Sequence, residues 1–401
     1  MISTRVARQV ATSSRREFSS FVSALDVFPG VPDSVPTPTT AGTISTTTLA
    51  NGLIVVTEGS SSSSTVTLTF PNAGSSSESG AESGAALINK NLAFSAGSGL
   101  SSALILRNFQ DDGASTFSTA NRTSTTVGFT TLPDKAVRLL PLINTECSFE
   151  PWDVANAKKV AQYECSEASK SLQVALTEAI FASAYGPQSG MGKPFYSEGA
   201  SNPAIQSFRA KTYGLNGAIL SATGVEDHAS FCTAVEESLV GAAGDQAAVA
   251  SPYLGGETRV LAPGTAPQIA LAFEGPASDT AAAVLKTCLE LQGVSAFGTA
   301  GLVGVTGPSV DALSTAVTTK PSADIIKRAK ALVKSQKAFA MAEGSQSLAQ
   351  AMTASVLDPT DVDSVDVASL YAAMMKSPLS MAAVGDLATV PYQGTVATRF
   401  N

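Results

Sequence analysis

Along this 401-residue chain the order of element signals partly recurs between two stretches, and that recurrence limits the fold more than any other feature. In the first, Thr65 to Phe70 sets Val66, Leu68 and Phe70 against threonines, the pattern of a half-buried strand. Helical and strand signals follow, and the series closes on an apolar strand, Gly217 to Gly224. In the second, Gln268 to Phe273 repeats the opening strand, and Leu379 to Gly385 mirrors the closing one. The second series is shorter than the first. Between them, Gly241 to Ser251 is poor in bulky side chains and reads as a linker. Helices interleaved with antiparallel-type strands predict an α+β protein of two related domains, each a mostly antiparallel sheet packed against helices.

Within the first series, Asn51-Gly52 is a hairpin turn signal before a β-branched run ending at Val56. A small-residue loop from Asn72 to Gly80 precedes a helix from Gly84 to Phe94. A further helix over Leu104 to Phe109 and strands over Ala114 to Asn121 and Thr123 to Thr130 follow. Helices are expected at Asp134 to Ile143, Val154 to Ser169, Leu172 to Tyr185 and from Glu226. In the second series they are expected at Ser278 to Leu291 and Ser322 to Glu343. The last of these sets Ile325, Ile326, Ala329, Leu332 and Val333 opposite Lys327, Lys330, Lys334 and Lys337, a plain amphipathic helix with a solvated polar side.

A net charge of −8 argues against a nucleic-acid partner, which needs clustered Lys and Arg. No uninterrupted apolar run is long enough to cross a bilayer, so membrane association would come through other subunits. Cys147, Cys165, Cys232 and Cys288 form no C-x-x-C pair and read as buried small hydrophobes in a reducing compartment.

The first twenty residues hold Arg5, Arg8, Arg15 and Arg16 and no acid before Glu17. On a helix these arginines share one arc, with Ile2, Val6 and Val10 opposite, the composition of a mitochondrial presequence. Arg16-Glu17-Phe18-Ser19 fits a matrix-processing site, so residues 1–18 are expected to be removed, taking the charge from −8 to −11. Residues 19–48, rich in Pro, Ser and Thr, read as an extended arm, followed by domains at 49–240 and 252–401 joined by the 241–251 linker.

Five landmarks stand in fixed order along the body. They are Leu49-x-Asn51-Gly52-Leu53, Asn72-Ala73-Gly74-Ser75 with Glu78, Tyr185-Gly186, Ala222-Thr223-Gly224-Val225, and Gly255-Gly256-Glu257-x-Arg259. In this order they resemble the pitrilysin-type zinc metallopeptidases, whose metal is held by an inverted H-x-x-E-H helix motif with the glutamate as general base. The corresponding stretch here runs from Gly84 to Phe94 and keeps the flanking Gly, Ala and Phe. Leu87 stands at the first ligand position, Lys90 at the base position and Asn91 at the second ligand position. The chain has one histidine, His228, far from this segment, and so cannot supply two imidazoles. A leucine does not ligate, and an ammonium repels a divalent cation.

The resemblance therefore implies the family's fold without its chemistry: no catalytic residue, no metal, no cofactor. For the family's distal ligand the candidates are Glu164 and Glu167, read as ordinary solvated helix residues, and His228 as a capping or surface residue. Two mitochondrial branches of the family lack the motif. One is structural within ubiquinol–cytochrome c reductase, where its partners would be the first core protein, cytochrome b, cytochrome c1 and the iron–sulfur protein. The other is the α-subunit type of the matrix processing peptidase, which presents presequences to a zinc-bearing β-subunit. A continuous glycine run would mark the second branch. Here Gly293, Gly298, Gly301 and Gly304 are dispersed, and Ala383 to Asp386 with Val390-Pro391 resembles the first branch.

Overall fold

The computed structural model describes residues 42–97, 99–143, 147–239 and 249–400. The expected presequence (1–18), most of the arm and residues 241–248 of the linker lie outside the described residues. Eleven strands and thirteen α-helices are described. The strands are β1 Ile44–Thr48, β2 Ile54–Glu58, β3 Ser64–Pro71, β4 Ser115–Ala120, β5 Ser124–Thr131 and β6 Ile219–Thr223, then β7 Gly256–Leu261, β8 Gln268–Glu274, β9 Ser295–Thr299, β10 Leu302–Gly307 and β11 Ser380–Gly385. The helices of the first half are α1 Ala85–Asn91, α2 Ser102–Asp111, α3 Pro133–Leu139, α4 Pro151–Lys170, α5 Leu172–Tyr185, α6 Asn202–Thr212 and α7 His228–Ser238. Those of the second are α8 Asp279–Glu290, α9 Val310–Thr318, α10 Ala323–Ala342, α11 Ser345–Leu357, α12 Val367–Met374 and α13 Gln393–Ala397.

The strands form two sheets, ordered β1-β2-β6-β3-β5-β4 and β7-β11-β8-β10-β9. Apart from β1, the orders superimpose element for element. Among the described residues each sheet has one parallel pair, β2 with β6 and β7 with β11, which brings the last strand of the half beside an early one. All other ladders are antiparallel. The repetition extends to single residues. Phe117 on edge strand β4 faces Gly128 on β5, and Phe297 on edge strand β9 faces Gly304 on β10. A Cβ on Gly128 would lie 2.5 Å from the Phe117 ring, and one on Gly304 2.6 Å from the Phe297 ring. Each glycine leaves room for the aromatic across the ladder, a cross-strand pairing that also pins register.

The hairpin expected at Asn51-Gly52 joins β1 to β2. Leu49 and Leu53 close it with a 2.8 Å backbone bond, Gly52 takes φ +81°, and Asn51 Oδ1 accepts from Leu53 N. The last five residues of the expected arm are thus β1, paired along its length to β2. Local pairing supplies the backbone bonds that Thr-rich composition alone did not suggest.

Strand β3 is not half-buried: every residue but Pro71 is buried. Val66, Leu68 and Phe70 enter one core with Phe109, Val127, Phe129 and Leu220. The threonine face is closed by pairing hydroxyls, Thr65 to Thr130 and Thr69 to Thr126, both 2.9 Å apart. It is covered by α11, whose Ser345 accepts from Thr65 at 2.9 Å and whose Thr353 bonds Ser221 at 2.8 Å. Ala349 and Met352 of the same helix pack on Val56 and Ile219.

The arrangement is reciprocal. Helix α5, from the first half, lies on the second sheet: Leu176, Ala179, Ile180 and Ala184 pack on Ala270, Ala272, Leu302, Ala382 and Val384. Each sheet is covered on one face by helices of its own half and on the other by one helix of the opposite half.

Helix α10 departs from its expected faces. Ala329 and Val333 are buried, but Leu332 is 41% exposed. Three of its four lysines have partners, Lys330 the Asp363 carbonyl, Lys334 the Asp363 carboxylate and Lys337 Thr280 Oγ1, while Lys327 is exposed on the polar side as expected. Of the cysteines, Cys288 alone is buried; Cys147, Cys165 and Cys232 are half-buried, and all four are free thiols.

Candidate functional site

The region to judge is α1, where the motif positions fall. Between β3 and α1 the chain makes two short 3-10 turns, Ser75–Ser77 and Gly80–Glu82. A capping box between Ser79 and Glu82 holds the second. Two ammonium groups pin the loop from outside: Lys193 donates to the carbonyls of Ser76 and Glu78, and Lys211 to that of Ser77 at 2.9 Å. Gly84 then enters the helix at φ +88°, and a Cβ there would lie 2.3 Å from the Ser197 carbonyl oxygen. Only glycine fits.

The Glu78 carboxylate accepts from Gly84 N at 3.0 Å and Ala86 N at 2.8 Å, meeting two of the free amides at the helix start. Glu78 is 2% exposed. Burial pushes its carboxyl up to about 7, against the lowering pull of those two amides and of Lys193. Its part in the site was not legible in the sequence, where it served only as a landmark.

Leu87, at the first ligand position, is 1% exposed and packs with Val154, Ala157 and Ala161 of α4 and with Ile205 and Phe208 of α6. Lys90, at the base position, places Nζ 2.8 and 2.7 Å from the two carboxylate oxygens of Glu164 on α4. The side chains are 16% and 27% exposed. Asn91, at the second ligand position, is half-buried and lines a cavity of about 370 Å³ with Phe94, Leu106, Thr116, Asp153 and Val160. Its buried Nδ2 has no hydrogen-bond partner among the described residues. Asn89 points elsewhere, donating to the Ala85 and Ile205 carbonyls.

Of the two distal-ligand candidates, the structure brings only Glu164 to α1. Glu167 pairs instead with Lys170 along its own helix. The expectation of ordinary solvated glutamates is therefore corrected for Glu164, which is shielded and held in a two-oxygen ion pair. Helical geometry explains the choice: Glu164 continues the Val154, Ala157, Ala161 face at helical spacing, and Glu167 turns off it.

His228 opens α7, behind its capping residue Asp227. Its ring nitrogens lie 2.7 Å from Thr47 Oγ1 and 2.7 Å from Thr57 Oγ1, tying α7 to β1 and β2. Those strands form the sheet edge opposite β4. The residue is a tether between elements, not a cap.

The side chains at the motif do not fit a catalytic zinc ion. An apolar group fills one ligand position, the Glu164 carboxylate is occupied by an ammonium, and the Glu78 carboxylate is taken up by two backbone amides at the helix start. Among the described residues, no group of three or more His, Cys, Asp and Glu side chains is arranged to hold a metal ion.

Residues 54–192 match the family model described as insulinase (peptidase family M16). The chain is 26% identical over 427 aligned residues to the mitochondrial-processing peptidase subunit alpha of Solanum tuberosum, covering 88% of this chain and 84% of that protein. Its fold superimposes with a TM-score of 0.71 on a chain of complex III2 from Candida albicans with Inz-5 bound. That match covers 89% of this chain and 100% of the other at 18% identity. The two-sheet architecture is the fold of that complex III chain, and the M16 match falls within the first half of this chain.

Proposed function

We propose that this M16-fold chain is a non-catalytic core protein of mitochondrial ubiquinol–cytochrome c reductase, a structural subunit supporting respiratory electron transport. The observation that carries the reading is Lys90. A cation at the base position that occupies the Glu164 carboxylate suits a scaffold and opposes metal hydrolysis. Support for the assembly comes from likeness over the whole of a complex III chain. The degenerate positions Leu87, Lys90 and Asn91 then have no catalytic role, and the chain needs no cofactor.

In this role the protein acts by burying surface against other subunits, on the matrix face of the inner membrane. No helix among the described residues is long and apolar enough to cross a membrane. Attachment would run through the first core protein, a β-type peptidase-like subunit, and through cytochrome b, cytochrome c1 and the iron–sulfur protein. An obligate interface of this kind covers on the order of 2,000 Å² or more. Residues 1–18 act as the presequence, and 49–240 and 252–401 as the two domains.

The second reading is the α-subunit of the processing peptidase, favoured by the 26% identity to the Solanum tuberosum protein. Isolation of the native assembly separates the two. Cytochromes b and c1 are expected to co-migrate with the chain; a single soluble zinc-bearing partner in their place overturns the proposal. Deleting residues 1–18 is expected to abolish import and leave the fold intact, checked by import assay and circular dichroism.

A further inference from the structure

We propose that Lys90 is a resident cation for this site: its ammonium, held by both oxygens of Glu164, clasps α1 to α4 and closes the motif region without a metal. The argument starts from the length of α1, seven residues from Ala85 to Asn91. So short a helix does not persist alone in water, because nucleation costs more than two turns return. It must be held from outside.

Besides its contact with α6, where Asn89 donates to the Ile205 carbonyl, three attachments do so. The Glu78 carboxylate takes the amides at its start. The Leu87 face packs on Val154, Ala157 and Ala161 of α4. The third attachment is Lys90, one turn beyond Leu87 and so on the same face, reaching Glu164 one turn beyond Ala161. The apolar seam and the ion pair are one continuous contact between the two helices.

The pair is placed to matter. Salt and water screen a surface lysine–glutamate pair until little remains. Here both side chains are mostly shielded, and both carboxylate oxygens sit within 2.8 Å of one nitrogen. The seam is otherwise apolar, so removing one partner leaves the other charge partly desolvated beside it. The ammonium also lies in the last turn of α1, where a cation is favoured by the exposed carbonyls.

The inference rests on the non-catalytic reading only in that no metal competes for Glu164. A double-mutant cycle on the full-length chain tests it, using Lys90→Met, Glu164→Gln, their combination and the exchange Lys90→Glu with Glu164→Lys. Urea unfolding is followed in low salt and in 1 M NaCl. The coupling is expected to be about tenfold in the folding equilibrium in low salt and to shrink in 1 M NaCl. The exchanged pair is expected to recover most of the loss of either single variant. Coupling below about twofold overturns the proposal. Should Lys90→Met not fold, hydrogen exchange of the α1 amides in Glu164→Gln decides: faster exchange confined to α1 supports the clasp, and unchanged protection there refutes it. Failure of this cycle would leave the complex III reading standing, and co-purification with a soluble peptidase alone would leave the clasp standing.

Discussion

Replacing Leu176 by alanine should damage a part of the protein far from it in sequence. Leu176 lies on α5 in the first half, yet it is 1% exposed against Ala270, Ala272, Leu302, Ala382 and Val384 of the second sheet. The substitution removes three carbons from a closed apolar layer. At about 0.8 kcal/mol per buried methylene, the transfer loss is about 2.4 kcal/mol, and the cavity left behind raises the total to about 3 kcal/mol. The small partners, three of them alanines, cannot expand to fill the gap, so the cavity contribution is not relieved by repacking. Hydrogen exchange followed by mass spectrometry on the full-length chain reads where the loss falls. Protection should drop in β8, β10 and β11, with urea unfolding confirming the magnitude. Unchanged exchange in those three strands, with loss confined to the first sheet, would refute the reciprocal packing of the two halves.

Three further perturbations test the site. Glu78→Gln should flatten the pH dependence of stability between about pH 4.5 and 7. Burial raises the folded carboxyl to about 7, so the wild type binds a proton that the unfolded chain releases, and its stability falls as pH rises through that window, by up to about 3 kcal/mol; a slope that survives in the variant, measured by urea titration at several pH values, would contradict this. Gly84→Ala should cost about 2–4 kcal/mol, because φ +88° and the Ser197 carbonyl both oppose a Cβ; thermal unfolding within 1 °C of wild type would show that the loop yields freely. Lys90→Glu should yield no cleavage of a presequence peptide with added zinc, since Leu87 and Asn91 still offer no imidazole; turnover above background would contradict the placement of the motif.

Much of the fold could be read from local pattern. The strands over Gln268–Glu274 and Ser380–Gly385, the hairpin at Asn51-Gly52 and helix α5 stand where period and turn chemistry place them. Helix α6 escaped notice although Ser201 followed by Asn202-Pro203 is a start signal, with Ser201 accepting from Ala204 N. Helix α11 escaped because its small, mostly neutral side chains give weak periodicity. Strand β3 was misjudged for a related reason. Alternation reports polarity, and a threonine face reads as wet until hydroxyl pairs and a covering helix are known to satisfy it.

At the motif the same division holds. What the residues themselves determined was a ligand count: one histidine in 401 residues cannot furnish the two imidazoles of an H-x-x-E-H motif, in any conformation. Ligand count is a property of composition and needs no coordinates. What only the tertiary structure decided was what took the vacated place. Whether Glu164 or Glu167 meets Lys90, whether Glu78 is a landmark or the anchor of a helix, and which half a helix serves all depend on contacts between residues distant in the chain. Those contacts are set by how whole faces pack and shed water, and a short window of sequence contains only one side of each.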